Sequence, residues 1–116
     1  MYYFCVMRIV IRSNEFDEFY NSLPEKVQNK LDYALNVLRE MKVVNTKLAK
    51  KLVDSDFYEL RISVGNEYRV ILFTIDHDNI VESTQVLLLN GFQKKSTKDY
   101  KKQIEIAERI IKTIEQ

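Results

Sequence analysis

The spacing of hydrophobic positions along this chain changes several times, and each change marks an element. From Val6 to Arg12, β-branched residues and alternation predict a strand, after which Ser13 offers a side-chain oxygen to cap a helix. Phe16, Phe19, Tyr20 and Leu23 follow at i, i+3, i+4 and i+7, the apolar face of a short helix. Pro24 interrupts this helix but suits the first turn of the next, where its missing N–H would have had no partner. That second helix carries Val27, Leu31, Ala34, Leu35, Leu38 and Met41 on one stripe, with Glu25, Lys26, Asn29, Lys30 and Asp32 largely opposite. The two helices are expected to form a hairpin.

After a lysine-bearing connection, residues 57–64 (FYELRISV), 68–76 (YRVILFTID) and 80–90 (IVESTQVLLLN) have strand composition. Gly65 and Asn66 supply the first turn between them, and Asp76, His77, Asp78 and Asn79 the second, so neighbouring strands run antiparallel. Val86 to Leu89 is continuously apolar, as in a central strand covered on both faces. Ser96 and Asp99 form an S-x-x-D pattern resembling a capping box, and Ile104, Ala107, Ile111 and Ile114 make the stripe of a C-terminal amphipathic helix. The order is β-α-α-β-β-β-α, an α+β fold with a largely antiparallel sheet, an N-terminal helical hairpin and a C-terminal helix. Residues 1–116 are expected to make one domain: 46% of the chain is hydrophobic, and two glycines and one proline give linkers no compositional support.

A formal net charge of +1 argues against a nucleic-acid partner, but the distribution changes that picture. Residues 42–51 hold Lys42, Lys47, Lys50 and Lys51 with no acid, and residues 91–102 hold Lys94, Lys95, Lys98, Lys101 and Lys102 against only Asp99. Such runs serve either as solvated surface or as a track for phosphates. Cys5, the single cysteine, lies in an apolar run and reads as a buried hydrophobe. No stretch is apolar enough to span a bilayer, and the cytoplasm is the expected location. The single histidine, His77, falls in a turn between aspartates, and no metal-ligand spacing, Gly-rich phosphate loop or G-x-S-x-G elbow occurs. Neither a metal nor another cofactor is expected.

Chemistry therefore falls to two arginines on successive strands, Arg61 and Arg69, placed among residues that otherwise favour burial. If Val64 pairs with Tyr68 across the turn, Ser63 faces Arg69 and both guanidinium groups leave the sheet on one side, while Leu60, Ile62, Val70 and Leu72 share the other. A two-residue loop would place them on opposite faces. Ordinary strand ion pairing, Arg61 with Glu59 or Glu67, is the alternative use of these residues. In GFQKKSTKDY, Gly91 is expected to end the strand, leaving Phe92 to stack and Lys94 and Lys95 to turn outward. Tyr100, one turn into the last helix, either meets RNA or forms an edge of the core.

The run FYELRISVGNEYRVILF, followed after one more strand by VLLLNGFQKKSTKDY and a helix, resembles the RelE/ParE toxin superfamily, and within it the HigB-like, phage-related branch. The matching residues are Tyr58, Glu59, Leu60 and Arg61, then Tyr68 and Arg69, then Gly91, Phe92, Lys94 and Lys95. Two positions depart: Asn90 stands where related sequences often carry His, and Tyr100 where they often carry Pro. Tyr100 is closer to the tyrosine that RelE carries at the start of its last helix.

The resemblance implies the toxin of a type II toxin–antitoxin system, a metal-independent endoribonuclease that cleaves mRNA, commonly on the ribosome. It also implies a cognate antitoxin partner, usually with a helix-turn-helix domain. In such a reaction the 2′-hydroxyl attacks the adjacent phosphate, and Arg61 and Arg69 stabilise the phosphorane. Lys94 holds the backbone or protonates the leaving oxygen, Tyr100 adds a hydroxyl, and Glu59 is the base or simply the partner of Arg61. Lys50, Lys51, Phe92, Lys95 and Lys98 would bind the RNA around them. The same resemblance allows a ParE-like inhibitor of DNA gyrase acting by protein contact, and a non-catalytic RNA-binding regulator remains the other alternative.

Overall fold

The computed structural model describes residues 7–115, so Cys5 and the start of the expected first strand lie outside the described residues. In chain order the elements are β1 (Ile9–Arg12), α1 (Asn14–Ser22), α2 (Glu25–Glu40), β2 (Ala49–Lys51), β3 (Phe57–Val64), β4 (Asn66–Thr74), β5 (Gln85–Lys94) and α3 (Asp99–Ile114). One five-stranded sheet runs in the order β1-β5-β4-β3-β2, with β1 parallel to β5 and every other neighbour antiparallel. The architecture is the expected α+β one, with one short strand added. That strand, β2, forms at the sheet edge by pairing Ala49 with Leu60 and Lys51 with Tyr58. Its three residues carry no alternation of their own.

Each face of the sheet holds a core. Toward α1 and α2, Leu60, Ile62, Val70, Leu72, Val86 and Leu88 pack with Phe16, Leu31, Ala34, Leu35 and Leu38. Toward α3, Phe57, Ile71, Leu87, Leu89 and Phe92 meet Ala107 and Ile110. The alternating Val86–Leu89 run thus feeds both layers, as a strand covered on two sides must. Leu31, Leu38 and Leu60 are fully buried, and truncating any one to alanine costs about 2–5 kcal/mol. Met41, expected on the apolar stripe of α2, caps that helix instead and is 53% exposed.

Local chemistry sets the elements' ends. Ser13 accepts from the backbone N–H of Phe16 at 3.0 Å and donates to the carbonyl of Leu89, so the cap of α1 also pins it to β5. The strand expected to reach Asp76 ends at Thr74, and the next does not begin at Ile80 after a four-residue turn as expected. The Asp76 carboxylate accepts from the backbone N–H groups of Thr84 and Gln85 and from the hydroxyls of Ser83 and Thr84, and this closes residues 75–84 as a loop. Strand β5 accordingly starts at Gln85 and continues past Gly91 to Lys94, where a turn was expected. Gly91 sits mid-strand because the Phe19 ring lies on it: an added Cβ would be 2.2 Å from Phe19 Cδ2. A bulge at Ile71/Leu72 skips Leu89 in the β4–β5 pairing.

Arg8 is 3% exposed, and its guanidinium donates to the carbonyls of Leu38 (2.8 Å) and Met41 at the end of α2, and of Ile80 (2.7 Å) and Ser83 (3.0 Å) in the 75–84 loop. Its backbone N–H donates to Arg39 rather than to a strand, which starts β1 later than the sequence suggests. Among the described residues no helix is long and apolar enough to cross a membrane.

Candidate functional site

The β3–β4 hairpin turns at Gly65, whose φ of +70° suits glycine, and pairs Val64 with Asn66. Register is therefore two residues from the expected one, and Arg61 lies directly opposite Arg69 rather than opposite Ile71. A shift of two preserves side-chain direction, so both arginines still leave the sheet on the α3 side. Phe92 pairs with Arg69, and Lys94 with Glu67, which brings β5 to the same place.

Two like charges facing across strands are unfavourable unless a counter-charge lies between them. Glu59 supplies it. Its carboxylate, 5% exposed, lies 3.3 Å from Arg61 Nε through one oxygen and 3.7 Å from Arg69 Nε through the other. The strand ion pair considered from sequence thus exists, but as a buried three-residue bridge.

The two arginines are not equivalent. The Arg61 side chain is 36% exposed, whereas that of Arg69 is 4% exposed, with its donors taken inward. Arg69 Nε donates to the Tyr100 hydroxyl at 3.1 Å, Nη1 donates to the Tyr68 carbonyl at 2.9 Å, and Nη2 lies 3.7 Å from Glu67. Helix α3 delivers Tyr100 to this spot. Asp99 anchors the helix start by accepting from the backbone N–H groups of Lys95 and Ser96, while Ser96 accepts from Lys98, a variant of the expected capping pattern. The Tyr100 ring stands edge-on to Phe92 at 5.5 Å, with Lys94 Nζ 5.5 Å from its centroid. Burial first, then the Glu59 carboxylate, pushes the Tyr100 hydroxyl above its ordinary value, with Arg69 pulling the other way. The hydroxyl therefore stays protonated at neutral pH.

Of the residues singled out from sequence, Glu59, Arg61, Arg69, Lys94, Tyr100 and Phe92 come together. Phe92 is 7% exposed and packs in the α3 core, so its ring supports Tyr100 instead of standing free to stack. Lys50 pairs with Glu59 and shares its face. Lys51 does not: it pairs with Tyr58 and holds Nζ 5.2 Å from that ring, on the opposite side of the sheet. Lys95 and Lys98 are exposed in the segment leading into α3. Asn90, where a histidine acid or base was not expected to carry over, is buried beneath α3 and donates to the Gln103 carbonyl (3.1 Å) and side chain (3.0 Å). His77 accepts from the backbone N–H of Asn79 in an exposed turn. Among the described residues, no three His, Cys, Asp or Glu side chains gather where they could share a metal ion.

Beside the arginines a pocket of about 300 Å³ opens to solvent, lined by Lys47, Arg61, Ile62, Ser63, Glu67 and Arg69. Lys47 and Ser63 were not among the expected site residues, and Glu67 was foreseen only as an ion-pair partner. Position alone signals them, because Ser63 and Glu67 face each other one step beyond the arginine pair. A larger cavity of about 450 Å³ lies near β1 and the C-terminal end of α3, among Ile11, Leu87, Ile110 and Ile114. It is mostly apolar and lacks the clustered cations, so the smaller pocket is the better functional candidate.

The family described as phage derived protein Gp49-like (DUF891) matches residues 18–112. Among solved structures, an arginine-to-alanine double mutant of the Escherichia coli toxin RelE in the free state aligns at 16% identity with a TM-score of 0.61. That alignment covers 85% of this chain and 96% of the other. The intact E. coli RelBE toxin–antitoxin complex aligns at 19% identity and TM-score 0.57, over 77% of this chain and 99% of the other. The RelBE2 toxin–antitoxin complex of Mycobacterium tuberculosis aligns at 16% and 0.55, over 76% and 99%. A search of curated protein sequences finds no match. A family match over most of its length and a backbone shared with these toxins lead to one conclusion: the chain belongs to the phage-derived Gp49-like family and has the RelE-like toxin fold.

Proposed function

We propose that this protein is the toxin of a type II toxin–antitoxin pair, a cytoplasmic endoribonuclease that cleaves mRNA on the ribosome and is silenced by a cognate antitoxin, as in the HigB-like branch. The observation that carries this is the network Arg61–Glu59–Arg69–Tyr100, which holds one half-exposed guanidinium, one hydroxyl donor and Lys94 around a single patch of surface. The RelBE complexes with the same fold support the antitoxin partner.

In this reaction the 2′-hydroxyl of the RNA loses its proton to solvent and attacks the adjacent phosphorus. The bond to the 5′-oxygen breaks, and that oxygen leaves as a hydroxyl after taking a proton from Lys94, which solvent restores. Arg61, planar and open to solvent, suits two phosphorane oxygens at once. Lys94 contributes a point charge at the leaving oxygen. Arg69 acts behind them, fixing the Tyr100 hydroxyl, and Glu59 keeps the two guanidinium groups side by side. The nucleophile belongs to the substrate, so the scheme asks for no metal-activated water.

The test is cleavage of a defined mRNA by the purified protein in a translating system, with the new ends mapped by primer extension. Cleavage by the wild type that disappears in Arg61→Ala supports the proposal. Intact mRNA overturns it, and if the same preparation blocks gyrase supercoiling, the ParE-like function takes its place.

A further inference from the structure

We infer that the pocket formed by Lys47, Arg61, Ser63, Glu67 and Arg69 seats an unpaired guanine base, with Glu67 as the group that reads it. The inference rests on the nuclease proposal for its RNA, and it adds which base the protein prefers beside the scissile phosphate.

Three observations point to a base at this place. The pocket shares Arg61 with the patch assigned to the phosphate, so a nucleotide flanking that phosphate falls within reach. Its volume, about 300 Å³, sits at the lower end of small-ligand sites and accommodates one heterocycle. Its charge is mixed. Glu67 stands among the cations with its side chain 49% exposed, so its oxygens keep unused acceptor positions.

A second phosphate is a poor occupant. The Ser63 hydroxyl across the hairpin holds the Glu67 carboxyl below the ordinary carboxylate range, with Arg69 and Arg61 acting in the same direction. Glu67 is thus an anion at neutral pH, and it would repel an entering phosphate at short range.

A neutral base bearing adjacent donors has the opposite preference. Of the four RNA bases only guanine presents two neighbouring donors on its Watson–Crick edge, the ring N1–H and the exocyclic amino group, and these match the two oxygens of a carboxylate. Adenine places a ring acceptor beside its single amino donor, and cytosine and uracil place acceptors on the same edge. Lys47, exposed at the rim, can donate to the guanine O6 next to N1. The half-exposed guanidinium plane of Arg61 provides a stacking surface, a common way to hold a single-stranded base.

The experiment uses dinucleoside monophosphates whose 5′ sugar is 2′-deoxy, so that they bind without being cut. Guanine, hypoxanthine or adenine is placed in turn on each side of the phosphate. Affinities are read by NMR titration of the labelled full chain and of Glu67→Gln, whose spectra also report whether the variant is folded.

For the wild type, guanosine is expected to bind about tenfold more tightly than inosine, which lacks only the exocyclic amino group, and adenosine more weakly still. Glu67→Gln is expected to level guanosine and inosine. Lys47→Ala is expected to weaken both equally, since O6 is common to them. Equal binding of all three ligands by the wild type overturns the inference. So does a Glu67→Gln protein that binds every ligand, and inorganic phosphate, more tightly than the wild type, because Glu67 would then be covering an anion seat. All-ribose RNA is assayed for cleavage in parallel. Cleavage without guanine discrimination removes the base seat alone, whereas discrimination without cleavage keeps the seat and removes the nuclease proposal.

Discussion

Arg61 and Arg69 face each other across β3 and β4, yet only Arg61 opens to solvent, at 36% side-chain exposure against 4% for its neighbour. Side chains of the same type on the same face thus sit in different surroundings, and under the proposed function the first would meet substrate while the second organises the groups around it.

That division predicts different losses. Arg61→Ala should reduce mRNA cleavage by about 100-fold or more, the usual cost of losing a preorganised donor, while lowering the urea unfolding midpoint less than Arg69→Ala does, since Glu59 keeps its bridge to Arg69. Arg69→Ala should lower activity as well, but through destabilisation of about 3 kcal/mol, because it removes one partner of a buried charge pair. Equal unfolding midpoints for the two variants would contradict the assignment.

Tyr100→Phe keeps the ring against Phe92 and removes only the hydroxyl that Arg69 holds. The expected result is at least a tenfold fall in the cleavage rate with unfolding stability within about 1 kcal/mol of wild type. The raised position of this hydroxyl adds a pH expectation. It remains a donor throughout the neutral and mildly alkaline range, so no alkaline loss of activity below about pH 10 should trace to its ionisation.

Asp76 closes the loop before β5, and its hydrogen bonds to Thr84 and Ser83 depress its ionisation well below the usual carboxylate range. A group whose folded value lies below its unfolded one stabilises the fold above the unfolded value, and that contribution fades as pH falls toward the folded one. The gap in urea midpoint between wild type and Asp76→Asn should therefore be constant near neutrality and narrow progressively below about pH 4. A gap that is still constant at pH 2.5 would argue against this role.

Gly91→Ala places a methyl group where the Phe19 ring lies, and a cost of about 1–3 kcal/mol is expected from the overpacking. The double variant Gly91→Ala/Phe19→Ala should show a non-additive recovery in denaturation experiments, since the clash is pairwise. Additive effects would mean that the strand relaxes away from α1.

Much of this was legible in the sequence wherever periodicity is strict. Residues 57–64 form a strand as expected, and the α2 stripe from Val27 to Leu38 is buried as its spacing demands. The shared face of Arg61 and Arg69 also followed, because burying Leu60, Ile62, Val70 and Leu72 on one side permits only even shifts of register.

What was hidden depended on partners distant in sequence. The extent of β5 is set by Asp76 gathering the N–H groups of Thr84 and Gln85, and Gly91 read as a strand end because nothing local reveals the Phe19 ring above it. The inward turn of Arg69 needs Tyr100, thirty-one residues away. Lys51 could not be separated from Lys50 until pairing with β3 showed that neighbours on a strand point to opposite faces.

The buried guanidinium of Arg8 has a consequence for the order of assembly. It can engage its carbonyls only once the end of α2 and the loop around Ile80 and Ser83 already lie side by side, separations of 30, 72 and 75 residues in sequence. Contacts so remote form late in folding, so β1 should be the last strand to dock and the first to fray. Amide hydrogens at its edge of the sheet should accordingly exchange with solvent sooner than those between β3 and β4.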